Sequence, residues 1–284
     1  MERLVLLLLT GISSGMITYL AAAGLSIVIA GMDMINFGAG AYYMMGAFLC
    51  FQISRSAGFG VALLVVPIAI AVLGLLTECL LRPLYTREKI YQLLLTIGMG
   101  YILQDVMVAI WGYRMYTVKL PSMLRGVLWI GQSAFPVYYV FAIIVASAIA
   151  LALMIMFYKT KIGIIFRAII SDRNMVNVLG INVTLMFTLM FMLAMWLTGL
   201  AGALVSPTIS VTSTDTLSIF VATMTALRIG GWKSLRGAFG GALLIGIVNA
   251  FGAMYLGWYY SIIPTVIMLI VLMVKPKGLF ADKE

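Results

Sequence analysis

Nine long apolar runs, separated by short polar gaps, decide the solvent of this chain before any motif is considered. They lie near residues 4–31, 35–54, 59–80, 91–112, 135–157, 185–206, 216–230, 237–256 and 258–274. Crossing hydrocarbon takes about 20 apolar residues, or about 17–25 with tilt. Backbone amides must pair internally there, which leaves helices or closed barrels. Barrel strands alternate apolar and polar over about ten residues. These runs are continuous instead, so helices are expected. The chain carries 18 basic and 9 acidic residues in 284, 10% of its length, where a soluble domain carries about 25%. That is too little charge for a water-exposed surface. The expected fold is an all-α integral membrane protein, a bundle of about eight or nine transmembrane helices in one domain over 1–284. The run at 216–230 is short, and the one at 35–54 opens glycine-rich, so either is open to being broken or re-entrant. The first run has no small-residue cleavage site in register and reads as a retained helix.

The polar gaps give an orientation. Arg82, Arg87 and Lys89 fall in one gap; Lys159, Lys161, Arg167 and Arg173 in the next; Arg228, Lys233 and Arg236 in a third; Lys275, Lys277 and Lys283 in the tail. If all nine runs cross, these thirteen cations share one side, against Arg55, Arg114, Lys119 and Arg125 on the other. Positive charge stays cytoplasmic, so the C-terminus is expected there. Nine crossings put the N-terminus outside; eight, with 35–54 re-entrant, put it inside. Pairs of small residues let helices approach closely in lipid, and Gly11/Gly15 and Gly237/Gly241 have that spacing.

Catalytic sets are missing from the sequence. It has no histidine, which removes His-based triads, relays and Cys/His zinc sites. Cys50 and Cys79 sit in apolar runs and read as small buried hydrophobes. Glu78 precedes Arg82 by one helical turn, the spacing of an ordinary ion pair. Asp33 closes the first run at an interface. Asp105, after Gln104 inside the fourth run, is an ionisable group at depth and hence a functional candidate. Gly230-Gly231-Trp232-Lys233-Ser234 superficially suggests a phosphate loop, but Trp232 stands where that loop needs glycine, and no strand precedes it. ATP binding is therefore not expected in this chain. No metal site, no cofactor and no nucleic-acid contact are expected either.

Two segments are informative. The gap at 158–184 is 27 residues long, and gaps of that length in compact domains are usually functional. Ile164, Ala168, Met175 and Leu179 alternate with charge at helical spacing. Ser171 or Asp172 suits a helix start and Gly180 a helix stop. Such a helix can lie on lipid, pack on its own protein, or dock on a partner. The second segment is 36–47. Gly38 and Gly40 weaken a helix there and Asn36 offers an amide. The segment is either a break lining a cavity or a loop leading to an interfacial helix with Tyr42 and Tyr43 as belt aromatics.

Taken in order, several stretches are similar to one family. They are Gly11-Ile-Ser-Ser-Gly-Met-Ile-Thr-Tyr-Leu in the first run, then Ile35-Asn36-Phe37 with Gly40 and Tyr43-Met44-Met45-Gly46-Ala47. Leu81-Arg82-Pro83-Leu84, Thr96-Ile97-Gly98 with Leu103-Gln104, and Arg167-Ala168 with Asp172 and Leu179-Gly180-Ile181-Asn182 follow. Thr198-Gly199-Leu200-Ala201-Gly202 and Lys275-Pro276-Lys277-Gly278-Leu279-Phe280 complete the set. The chain resembles the permease subunits of the binding-protein-dependent branched-chain amino acid ABC importers, over most of its length. The resemblance implies a pore formed with a second permease, often non-identical. It also implies two cytoplasmic ATPase subunits holding ATP and Mg, an extracytoplasmic solute-binding protein, and a bacterial-type inner membrane. It favours docking of 158–184 on the ATPase, through Arg167, Asp172, Arg173, Asn174, Gly180, Ile181 and Asn182. It implies a solute path near Asn36, Phe37, Gly40, Tyr43, Thr96, Gly98, Gln104 and Asp105, with Gly199 and Gly202 as further packing positions. The family usually has a histidine and an acid where this chain has Ala39 and Ala41. Amides, urea or small organic acids therefore stand beside amino acids as expected solutes, and a stand-alone secondary transporter is the other functional class.

Overall fold

The computed structural model describes residues 2–130 and 133–280; Lys283 of the terminal cation set lies outside the described residues. The apolar runs are helices: α1 Glu2–Met32, α2 Ala39–Ser56, α3 Phe59–Leu81, α4 Lys89–Trp111, α5 Val137–Lys159, α8 Val183–Val205, α9 Thr216–Gly230, α10 Leu235–Tyr255 and α11 Ile263–Val274. Between α5 and α8 lie two further helices, α6 Lys161–Ser171 and α7 Arg173–Val178. A small hairpin, β1 Val127–Ile130 and β2 Ser133–Pro136, precedes α5 and pairs antiparallel with Val127 opposite Pro136. The last run, expected as one span from 258, is split: a 3₁₀ segment Gly257–Ile262 leads into α11, which Pro264 opens. Proline suits the first turn because it has no amide hydrogen to leave unpaired.

Six helices are individually long and apolar enough to cross a membrane: α1, α3, α4, α5, α8 and α10, with α9 and α11 as shorter apolar segments. The chain is thus an all-α membrane protein. The second run yields a helix that starts at Ala39, four residues later than its apolar stretch.

Burial sorts these helices in a way hydrophobicity does not. Eleven of the 18 residues of α2 are buried, whereas only four of the 23 in α4 are. Glycines make the close approaches. Gly11 and Gly15 lie on the α10 backbone at Ile247 and Ala242, and Gly237 and Gly241 lie on α9 at Gly230 and Ala226. Gly199 meets Ile70 of α3, and Gly202 meets the Tyr43 carbonyl of α2. Around Gly46 the fit is decisive. A Cβ there would stand 2.7 Å from the Gly199 carbonyl oxygen, and backbone cannot rotate aside as a side chain can. Such contacts replace the hydrophobic effect, which does not act between helices already in lipid.

Polar contacts fix the two ends. At one end, the Asp33 carboxylate holds both Lys89, at the start of α4, and Lys233, before α10. At that same end the Leu279 and Phe280 amides donate to the Ile229 and Gly230 carbonyls at 2.8 and 2.9 Å. At the other end Tyr116 and Val211 exchange backbone hydrogen bonds at 3.1 and 2.8 Å. The Glu78–Arg82 pair forms at 3.0 Å with Glu78 wholly buried, and the Tyr85 hydroxyl donates to the same carboxylate at 2.9 Å. Cys50 is buried, but Cys79 is exposed on the outer side of α3, so the reading of both as buried hydrophobes fails for Cys79. Helical spacing turns every third or fourth residue outward, and Cys79 falls beside exposed Leu80 and Leu76.

Candidate functional site

The chain is unwound between α1 and α2, and the residues of that break organise a site. Asp33 leaves α1 with φ 53°, the only non-glycine residue of positive φ among the described residues. Its amide still closes the last turn on the Ile29 carbonyl at 3.1 Å. A short polar side chain tolerates this left-handed conformation better than most. Burial raises the Asp33 pKa, but hydrogen bonds from Lys89 and Lys233 outweigh it and hold the carboxyl below its ordinary range. A depressed carboxyl contributes stability above its unfolded pKa, about 3.9, and loses it as pH falls through the folded value. Asp33→Asn is therefore expected to lower stability at neutral pH by about 1 kcal/mol, a figure discounted because both lysine partners are exposed to solvent. Thermal melts of the two proteins should differ at pH 7 and converge below about pH 4; a difference that persists in acid would sink this assignment.

Asn36 is fully buried. Its Oδ1 accepts from the Gly38 amide at 3.0 Å, and its Nδ2 donates to Met195 Sδ at 3.8 Å. The amide thus pins the turn that starts α2 and ties it to α8. The Phe37 amide donates to Thr96 Oγ1 at 3.4 Å, and the Phe37 ring lies 4.7 Å from that of Phe220. Gly40 lies directly on the Thr216 carbonyl at the start of α9. Thr216 Oγ1 in turn donates to Gln104 Oε1 at 2.8 Å. The result is a cavity of about 80 Å³ lined by Phe37, Ala41, Gly100, Tyr101, Gln104 and Thr216. Its polar groups are one amide, one threonine hydroxyl and one phenol. Ala41, standing where the resemblance leads one to expect an acid, is part of its wall, so no carboxylate enters it there.

The structure brings Asn36, Phe37, Gly40, Thr96 and Gln104 together and leaves three other expected path residues apart. Tyr43 is buried in the core with its carbonyl against Gly202. Gly98 has nothing within 4 Å of where a Cβ would stand. Asp105 is exposed on the outer face of α4, among Tyr101, Ile102 and Val106. Thr216 and Phe220 belong to the site although the sequence reading did not select them. Their only local signal was a short apolar run opened by Asp215-Thr216.

The 158–184 segment folds into two helices rather than one. Thr160 caps α6, its hydroxyl accepting from the Gly163 amide at 3.2 Å. Asp172 breaks the helix and caps α7, accepting from Asn174 and Met175 at 2.9 and 3.1 Å. Gly180, at φ 81°, turns the chain out of α7, and Asn182 caps α8 by accepting from Leu185 at 3.0 Å. A shallow polar hollow of about 480 Å³ is lined by Arg173, Asn174, Asn177, Gly180, Ile181 and Asn182, among others. Arg167 is elsewhere: it lies on α6 and donates to the Phe157 carbonyl of α5. Arg173 lies over the Phe187 ring at 5.5 Å, which holds α7 to α8. Beyond it Val178 and Leu179 project, 82% and 70% exposed. Val178 was not selected from the sequence.

Comparison with known proteins gives this arrangement its context. The family described as branched-chain amino acid transport system / permease component matches residues 7–272. The permease LivH of the high-affinity branched-chain amino acid transport system of Escherichia coli K12 is 29% identical, over 96% of this chain and 94% of its own length. BraD of Pseudomonas aeruginosa, similarly described, is 25% identical over 98% of this chain and 95% of its own. A probable LivH of Methanocaldococcus jannaschii is 25% identical over 92% and 87%. Among solved structures, PsaBC from Streptococcus pneumoniae in complex with Fab shares the fold, with a TM-score of 0.52 and 14% identity over 94% of this chain and 91% of that one. The chain belongs to the family of branched-chain amino acid permease components.

Proposed function

We propose that this permease forms one half of the pore of an ATP-driven, binding-protein-dependent importer of branched-chain or related amino acids. The observation that carries the proposal is the open face of α4. This helix is the least covered of the six long apolar ones, yet it carries Thr96, Tyr101, Gln104 and Asp105 beside the broken start of α2. An ionised side chain at membrane depth is costly against lipid and belongs on a protein or water surface. A second permease packed across that face would cover Asp105 and close a path along Gln104, Thr216 and Phe37. The apolar lining, with Ala41 in its wall, suits a neutral zwitterion with an aliphatic side chain better than a charged solute.

Nine crossings fit the end contacts best. Asp33 and Lys89 touch at one end while α3 crosses between them, so 34–56 must carry the chain back across. Likewise α9 joins the Val211 end to the Lys233 end, and α11 returns the chain to the Gly230 end, where Leu279 bonds. The positive residues at that end support a cytoplasmic C-terminus in a bacterial-type inner membrane, with the N-terminus outside. ATP and Mg would reside on two separate cytoplasmic ATPase subunits docked beneath α7, and an extracytoplasmic binding protein would deliver the solute.

Asn36→Ala removes the amide that fixes the α2 start, and Phe37→Ala removes the ring against Phe220. Both are expected to lower uptake at least fivefold in vesicles while leaving the affinity of the binding protein for the membrane complex unchanged. Normal uptake in both variants would refute the path.

A further inference from the structure

A second cavity, of about 270 Å³, opens at the Asp33 end between α1, the corner joining α5 to α6, and the link that begins α10. Arg167, Lys233 and Tyr158 line it on the polar side, and Ile27, Ala30 and Phe157 on the apolar side. Two guanidinium groups lie over the Tyr158 ring, Arg236 at 4.7 Å and Arg167 at 5.6 Å. Lys233 is paired with Asp33, but that carboxylate is shared with Lys89, so the surroundings keep an excess of positive charge. No acidic residue lines the cavity.

At its base is Ser26. It is 1% exposed, and its hydroxyl has no hydrogen-bond partner. Ser13 and Tyr19 of α1 also carry buried hydroxyls without a partner, whereas those of Thr10, Ser14 and Thr18 bond to carbonyls three or four residues back, the usual outlet for such groups in a helix. Ser26 does not take that outlet, and it is one of the residues that line the cavity. A buried hydroxyl left unpaired is unfavourable, unless something in the cavity accepts from it.

The chemistry selects the occupant. A metal ion would be repelled by the cations. A free amino acid would bring its ammonium group against Arg167 and Lys233. An anion with several acceptor oxygens matches two cations, a phenol and a hydroxyl donor. We propose that this cavity binds a phosphate group, supplied by the headgroup of an anionic phospholipid or by a soluble phosphate. Depth favours the lipid. Ser26 lies about 10 Å along α1 from Asp33, so the cavity runs from the interface into the start of the hydrocarbon, with Ile27, Ala30 and Phe157 beneath the cations to meet glycerol and acyl carbons.

The test is native mass spectrometry of the full-length permease, purified with whatever subunits accompany it, after exposure to phosphatidylglycerol or phosphatidylcholine. Phosphatidylglycerol should be retained preferentially. Arg167→Gln and Lys233→Gln should each lower its retention about fivefold, while Arg87→Gln, which removes an exposed cation at the same end, should not. Ser26→Ala gives a variant that keeps the helix intact should either cation change prevent folding; it should lower retention at least twofold. Displacement by inorganic phosphate without any lipid preference would keep the site and assign it to a soluble ligand. Equal retention of both lipids with no effect of phosphate, or equal loss in Arg87→Gln, would overturn the proposal.

Discussion

Adding one methyl group at position 40 is expected to reduce uptake at least tenfold while the protein still inserts and folds. A Cβ on Gly40 would overlap the Thr216 carbonyl oxygen and stand 3.1 Å from Phe220 Cβ. The first of these is helix backbone and has no rotamer to change. Either α2 or the start of α9 must then move by well over an ångström to restore an ordinary contact. That movement pulls apart the Phe37–Phe220 rings, now 4.7 Å between centroids, and the Thr216–Gln104 hydrogen bond, now 2.8 Å. The energetic cost of one buried extra methyl is about 1–3 kcal/mol, too small to dismantle a core in which α1, α2, α3, α8 and α10 interlock. Function should therefore fail before folding does. Gly60→Ala is the comparison, because nothing lies within 4 Å of a Cβ there; it should transport and melt as the natural protein does. Uptake in vesicles and a thermal melt of the purified complex read the two effects separately. Wild-type uptake by Gly40→Ala would show that the α2–α9 contact is not part of the path.

The same residue illustrates what a sequence of this kind can and cannot convey. Apolar runs locate helices because lipid demands about 20 apolar residues wherever the chain crosses, and α3, α4, α8, α9 and α10 begin and end within two residues of their runs. Hydrophobicity is silent about which helix lies inside. Helix α2 is less apolar than α3, yet it is enclosed, while α4 is open. Small residues, not apolar ones, mark the enclosed helix. Local signals served well in 158–184: an acid before a helical turn and a glycine after it became the Asp172 cap and the Gly180 turn. Their limit was a single expected helix: Ile164 and Ala168 share one helical spacing with Met175 and Leu179, yet they belong to a separate helix, α6, that ends where Asp172 starts α7. Thr216 and Phe220 escaped notice since their partners Gly40, Gln104 and Phe37 lie more than a hundred residues earlier. Asp105 attracted attention through its charge, but the helical rotation that turns it away from Gln104 is set by α4 packing on α2.

Reversing the charge of Arg173, or placing an acid at Val178, is expected to lower solute-stimulated ATP hydrolysis at least tenfold in the reconstituted complex. The two changes probe different parts of α7. The six-residue helix is anchored by buried Val176, with Met175, Val178 and Leu179 projecting from it, 58%, 82% and 70% exposed. This tip sits in the charged connection between α5 and α8, beyond the ends of both spans, and its hollow is mainly polar. An apolar projection framed by Arg173, Asn174 and Asn177 has the form of a knob that fits a pocket on a partner, where a few buried residues supply most of the binding energy. Val178→Asp removes the knob and leaves the stack of Arg173 on Phe187 in place. A loss of about 2 kcal/mol, at the threshold of such a contact, corresponds to about thirtyfold weaker association. Arg173→Glu removes the stack and also presents an anion at the rim, so it should lower both ATPase association and the coupling of hydrolysis to solute. Arg173→Ala separates these: if it matches Arg173→Glu, the stack alone matters, and if it lies between Arg173→Glu and the natural protein, the charge contributes as well. Full ATPase stimulation in both Val178→Asp and Arg173→Glu would mean that α7 is not the docking element, and that the force from ATP binding enters the bundle elsewhere.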